Sequence, residues 1–289
     1  MSDTPENFLG IPAEYADYAK AKAVVIPVPF EATTSYAQGT AFGPAAILEA
    51  SAQVELYDEE TEGEPYLLGV ATLPPIDFHG LSLKEAIDKI ESVVKKVVAD
   101  GKMPIVLGGE HSITPPAVRA VATKHHEITV VQLDAHADLR QEYEGTPLSH
   151  ASAMARVRDQ FPAVQIAIRA LSKEEADWVK KDKLPVFFAH QLTEGWMDRA
   201  IAAIPTKKVY LTIDIDGLDG SLIPATGTPV PGGLTYRELV TFVRKLMREK
   251  EVVAYDVVEL MPQEGNHASN FLAALIAAKC FAYWAENKR

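Results

Sequence analysis

Two short arrays of acids and histidine carry the clearest chemistry in this 289-residue chain. The segment LDAHADLR sets Asp134, His136 and Asp138 at every second position behind an apolar run, and LTIDIDGLD sets Asp214 and Asp216 two apart behind another. His111 follows Gly108 and Gly109 after a third. In extended chain alternate side chains share a face, so three ligands would converge just beyond the carboxyl end of a strand. A lone Asp or His at a strand end is commonly a cap or a turn residue. Four carboxylates gathered together repel one another unless cations neutralise them. The set contains carboxylates and imidazoles and no thiolate, which suits hard or borderline divalent ions such as Mn²⁺ rather than structural zinc. Six ligands exceed the need of one ion with an open position. Shared carboxylates would hold two ions roughly 3.5 to 4 Å apart and activate a water between them, which is hydrolytic chemistry.

Positioning such a cluster requires strands that end at one level. Short Val- and Ile-rich runs start at Ala23, Met103, Ile128, Val164, Leu184, Val209 and Val252, and they alternate with longer segments of helical period. That alternation predicts βαβ units and a parallel sheet, and the unbroken apolarity of most strands predicts helices on both faces. Three helices are marked by capping boxes, at Ser82 with Glu85, Ser172 with Glu175 and Thr235 with Glu238. Further helical pattern covers Gly43 to about Leu56, Pro116 to about His126, His150 to about Asp159, and Ala268 onward. The expected fold is α/β: one domain over residues 1–289 around a parallel sheet with helices on both faces. Ligands of such sheets bind at the carboxyl ends of the strands, where the acids lie.

The charge balance narrows the partners. Forty acidic against 28 basic residues give a formal charge of −12, so nucleic acid and anionic membrane surfaces are excluded as partners and a small cation is favoured. The single cysteine, Cys280, rules out an intramolecular disulfide and fits a reducing, cytoplasmic setting. The opening MSDTPENFLG lacks the basic and apolar regions of a signal peptide, and no stretch is expected to span a membrane.

At the acidic arrays the chain resembles the ureohydrolases, the arginase and agmatinase family, over nearly its whole length. The resemblance rests on GGEHS at Gly108, DAHADLR at Asp134, SHAS at Ser149, DIDGLD at Asp214, PATGTPVPGGL at Pro224 and VVEL at Val257. It implies a single three-layer αβα domain with a doubly wound, mainly parallel sheet, and two Mn²⁺ per subunit. One ion would be held by His111, Asp134, Asp138 and Asp214, the other by Asp134, His136, Asp214 and Asp216. It further implies that a hydroxide between the ions attacks the central carbon of a guanidinium, giving urea and an amine. Asp138 would orient that hydroxide, His150 would bind substrate and shuttle a proton, and Glu259 would hydrogen-bond the guanidinium. Asp256, earlier on the last strand, is read as structural. The resemblance also implies a homo-oligomer, trimer or hexamer.

The substrate tail is less determined. Arginases grip the amino-acid end of arginine with residues that are absent here. Leu139 and Arg140 stand where an Asn is usual, and Ala170, Leu171 and Ser172 where an Asp is expected. DLRQEYEG followed by SHAS looks like the agmatinase branch, whereas PATGTPV is closer to arginases. The expected reaction is agmatine to putrescine and urea, a step of polyamine biosynthesis. Arginine, guanidinobutyrate, guanidinopropionate and formimino compounds stay open, as do a related metal-dependent deacylase and a non-catalytic metal-binding homologue.

Overall fold

The computed structural model describes residues 7–288. Among them are eight strands, β1 (Ala23–Val28), β2 (Val70–Thr72), β3 (Met103–Gly108), β4 (Ile128–Leu133), β5 (Ala163–Ile168), β6 (Val186–Phe188), β7 (Lys208–Asp214) and β8 (Glu251–Val258). The helices are α1 (Ala13–Ala16), α2 (Gly43–Ser51), α3 (Leu83–Ala99), α4 (Thr114–Ala122), α5 (Ala153–Arg158), α6 (Lys173–Asp182), α7 (Trp196–Ala202), α8 (Tyr236–Glu249) and α9 (His267–Glu286).

All eight strands join one sheet in the order β2-β1-β3-β8-β7-β4-β5-β6, and every strand pairing is parallel. Strands β1, β3, β4 and β5 are buried at every position, as their continuous apolar runs require. Helices α2, α7, α8 and α9 pack on one face and α3 to α6 on the other, so the sheet is doubly wound. The capping boxes at Ser82, Ser172 and Thr235 all form, each N-cap contributing on the order of 1 kcal/mol. Along α8, Leu239, Val240, Phe242, Val243, Leu246 and Met247 are buried, each apolar side chain adding roughly 1.5 to 3 kcal/mol on leaving water.

Register is what gathers the chemistry. Leu107, Val257, Ile213 and Leu133 form one row across β3, β8, β7 and β4. His111, Glu259, the Asp214 pair and the Asp134 array all lie just beyond that row, at the carboxyl edge of the four central strands.

Two helix ends need correction, and two short elements, β2 and α7, were not foreseen. Strand β2 is a three-residue edge, too short to show a period. Helix α2 stops at Ser51 rather than near Leu56, where the chain turns through Ala50 to Val54. Helix α4 stops at Ala122 rather than near His126, where the Thr123 hydroxyl donates to the Ala120 carbonyl and competes with the backbone ladder. Helix α9 is long and apolar enough to cross a bilayer by composition. It is instead a core helix, packed on α2 and α8, with Ile276, Ala277, Phe281 and Tyr283 fully buried.

Candidate metal centre and active-site cleft

All six clustered residues come together, by a route that differs from simple strand alternation. Strand β4 ends at Leu133, and Asp138 turns inward through a left-handed backbone with φ of 51°. Asp216 sits in the 3-10 turn Ile215–Gly217, and its own N–H is capped by Asp214. The spacing of two therefore works through tight turns rather than through the pleat. Two glycines permit the close approach. A side chain at Gly109 would meet the Phe30 carbonyl oxygen at 2.0 Å, and one at Gly217 the Asp134 backbone nitrogen at 2.8 Å.

Three aspartates have an oxygen anchored by backbone. Asp134 Oδ1 accepts from His136 N at 2.5 Å, Asp214 Oδ1 from Asp216 N at 2.9 Å and Asp216 Oδ1 from Ala135 N at 3.0 Å. Each also faces imidazole. His111 Nδ1 lies 3.1 Å from Asp134 and Asp138 and 3.3 Å from Asp214, while His136 Nδ1 lies 2.8 Å from Asp216 and 3.7 Å from Asp134. Two donor triads result, His111 with Asp134 and Asp138, and Asp134 with His136 and Asp216. Asp134 belongs to both.

The distal histidine nitrogens are also held. His111 Nε2 is 2.9 Å from the Thr212 hydroxyl and His136 Nε2 is 3.4 Å from Thr228. In both rings Nδ1 is thus the nitrogen offered to the centre, with an outer partner fixing ring orientation.

The electrostatics fit divalent cations. Burial, then the charges of Asp216 and Asp138, push Asp134 up to about 7. Burial and the charges of Asp216 and Asp134 push Asp214 well above the carboxylate range. Burial would lower both histidines, but facing carboxylates raise His111 well above its ordinary value and His136 to about 10. Asp216, despite burial, is held at about 2 by His136. Buried acids thus crowd together with protons as their only countercharge, and a cation would take over that role with neutral imidazole ligands.

Above the cluster opens a cleft of about 330 Å³, lined by His136, Asp138, His150, Asp214, Asp216 and Glu259 together with the loop after β1. His150 opens the 3-10 turn His150–Ser152 ahead of α5, capped by Ser149. Glu259 follows β8 at φ of 66°, and burial and the charge of Glu110 push its carboxyl well above the usual range. Asp256 is buried and accepts from Thr114 at 2.8 Å and Tyr210 at 2.7 Å, outside the residues lining the cleft.

Several supporting residues escape the motif reading. Gln132 donates to Asp134 Oδ2 at 2.5 Å and accepts from Gln165, its register neighbour, at 2.6 Å. Polar residues inside apolar strands are the signal that could have flagged both. Arg169 fastens the Asp216 loop through Asp216 O, Leu218 O and Val230 O at 2.7, 2.9 and 2.7 Å. Thr34, Ser35 and Tyr36 line the cleft from the loop after β1, beside Arg140 and Tyr143 of the DLRQEYEG segment.

An arginase-like αβα sheet with a carboxylate and histidine centre at its carboxyl edge defines the class of protein. Residues 21–282 match the model of the arginase family. The chain is 41% identical to an N(1)-aminopropylagmatine ureohydrolase of Synechocystis, covering 99% of this chain and 98% of the relative. It is 34% identical to an agmatinase of Bacillus anthracis, covering 86% of each. The crystal structure of the agmatine ureohydrolase of Thermoplasma volcanium superposes with a TM-score of 0.88 at 31% identity, covering 100% of this chain and 96% of that one. The chain belongs to the arginase family. Within it, the chain groups with the agmatinase-like ureohydrolases.

Proposed function

We propose that this chain is a binuclear manganese ureohydrolase that cleaves an agmatine-type guanidinoalkylamine to urea and the amine. The observation that carries the reading is the cleft itself, in which the two triads sharing Asp134 and the buried acid Glu259 face one space. The proposed ligand sets are His111, Asp134, Asp138 and Asp214 for one ion and Asp134, His136, Asp214 and Asp216 for the other. Ions there would supply water acidified toward neutral pH and positive charge for the transition state.

The chain's own groups do the rest. Glu259 Oε1 is fixed by the His111 N–H at 2.6 Å, and a guanidinium beside this buried acid gains a charge-assisted pair. His150, at the cleft wall, passes a proton from its ring to the departing amine nitrogen. On the α6 side the acid lining the cleft, Glu175, already serves the backbone. Its oxygens accept from Leu139 N at 2.8 Å and Ser172 N at 2.6 Å.

The tail is the finer question. Agmatine is the substrate expected from the DLRQEYEG and SHAS segments, and the 41% identity to an N(1)-aminopropylagmatine ureohydrolase supports the longer amine as the preferred one. A second reading has one observation in its favour. Arg140 lines the cleft, stacks 5.1 Å from the centre of the Tyr143 ring, and would suit a carboxylate tail such as that of guanidinobutyrate. The test is urea release after chelation and stepwise return of Mn²⁺. Recovery in step with two ions per chain is expected, and metal-independent turnover would contradict the reading.

A further inference from the structure

One buried acid beside the centre has no part in the chemistry described so far. Glu110 is fully buried in the GGEHS segment, one residue before His111. Its Oε2 accepts from the backbone N–H groups of Ala32 and Thr33, both at 2.7 Å. Its Oε1 accepts from the hydroxyls of Thr33 at 2.7 Å and Ser112 at 2.5 Å. The loop after β1 is thereby fastened to the loop after β3, across adjacent strands.

Thr33 carries the connection onward. Its Oγ1 lies 3.0 Å from the backbone nitrogen of His150 and 3.3 Å from His150 Nδ1. Ser149 Oγ lies 3.4 Å from the same ring nitrogen, and the Tyr143 ring meets the imidazole edge-on at 6.0 Å.

Proton accounting decides the direction of these bonds. A hydroxyl has one proton and two lone pairs, and a neutral imidazole has one N–H and one acceptor nitrogen. The Thr33 proton goes to Glu110, the charged acceptor at the shorter distance. Thr33 Oγ1 then has only lone pairs for His150: it accepts the backbone N–H, and as a nearer partner of Nδ1 than Ser149 it bonds that nitrogen when the nitrogen carries the proton. Nε2 is left as the nitrogen with a free lone pair.

We infer that Glu110, acting through Thr33, is a positioning residue that fixes the Nδ1–H tautomer and the ring orientation of His150. The inference rests on the reading of His150 as the proton-transfer group. In that role Nε2 takes up a proton, giving imidazolium, and hands the same proton to the departing amine nitrogen. The ring returns to its Nδ1–H form. Outer partners that orient a working histidine are commonly as consequential as the histidine's direct contacts.

Two measurements test this. Neutron diffraction from deuterated crystals of the full chain, at about pH 8.5 where free imidazole is neutral, locates the protons without reference to activity. Deuterium on His150 Nδ1, with the Thr33 hydroxyl turned to Glu110, is expected. Deuterium on Nε2, or a Thr33 hydroxyl turned to His150, overturns the inference. In kinetics, Thr33→Val should lower kcat roughly 10- to 100-fold with KM changed by less than about threefold, while Thr33→Ser stays near wild type. Glu110→Gln should lower kcat as Thr33→Val does, and metal content separates that loss from damage to the neighbouring His111. In a His150→Ala background, Thr33→Val should cost nothing more. Fully multiplicative losses, or a loss carried by KM, overturn the inference. A wild-type protein that releases no urea from any guanidino compound defeats the functional reading instead, and the neutron map still decides the tautomer.

Discussion

The backbone N–H of His111 donates to Glu259 Oε1 at 2.6 Å, and the Glu259 N–H donates to the Gly109 carbonyl at 2.8 Å. A proposed metal ligand and the acid proposed to hold the guanidinium are thus locked by reciprocal bonds between the loops after β3 and β8. Glu259 adopts a left-handed backbone that non-glycine residues avoid. The scaffold holds it there, which sets the spacing between this acid and the carboxylate and histidine cluster.

Glu259→Gln isolates the charge from this geometry, since the amide oxygen still accepts from His111. The expected result is a fall in kcat/KM of about 10- to 100-fold, the equivalent of a charge-assisted hydrogen bond of about 1.5 to 3 kcal/mol, with metal content unchanged. Steady-state kinetics beside elemental analysis check it. An unaltered kcat/KM would remove Glu259 from substrate binding.

Asp134 joins both donor triads, whereas Asp216 joins one. Asp134→Asn should therefore reduce bound Mn²⁺ at both positions and abolish urea release, and Asp216→Asn should weaken one ion selectively. Metal titration followed by calorimetry distinguishes one weakened site from two. Equal stoichiometry and affinity in wild type and the Asp134 variant would contradict the shared-ligand arrangement.

Much of this centre is legible in the residues themselves. LDAHADLR and LTIDIDGLD place like charges where only a cation makes sense, and the apolar runs before them give the parallel sheet. The turns that aim Asp138 and Asp216 are less legible, because a left-handed residue and a 3-10 turn leave no periodic trace. Thr33 was missed for a different reason. It meets His150 from a loop far away in the chain, and only the strand order brings the two loops together.

His150→Ala should lower kcat by about 10² to 10³, within the range of general acid–base contributions, and leave the metals bound. Single-turnover urea release with metal analysis reads both. Normal turnover with retained metal would exclude His150 from proton transfer.

Away from the cleft, Lys279 is buried with its ammonium 2.7 Å from Asp58 and 3.0 Å from Glu59. Burial would raise the Asp58 carboxyl, but the Lys279 and Thr61 hydrogen bonds leave it below its ordinary value. Lys279 itself is raised by its acid partners despite burial. The pair therefore contributes stability above the unfolded Asp range, about 3.9, and below the unfolded Lys range, about 10.4. That contribution is lost as pH falls through the lowered Asp58 value or rises through the raised Lys279 value. Lys279→Met strands a buried carboxylate and should cost about 3 kcal/mol near neutrality. Denaturant melts across pH should show the wild-type advantage constant between about pH 5 and 9 and shrinking outside the two limits. A pH-independent difference would mean that packing, not the ion pair, is what the substitution removes.

The most direct test of the account is the ratio of kcat/KM values for urea release by the Mn²⁺-loaded protein. The substrates to compare are N1-aminopropylagmatine, agmatine, guanidinobutyrate and arginine. The account predicts turnover of both agmatine-type amines, the aminopropyl form ahead, with arginine at least about 100-fold poorer because the acid on that side of the cleft, Glu175, already serves the backbone. Preferred hydrolysis of arginine, or no urea from any of the four, would contradict it.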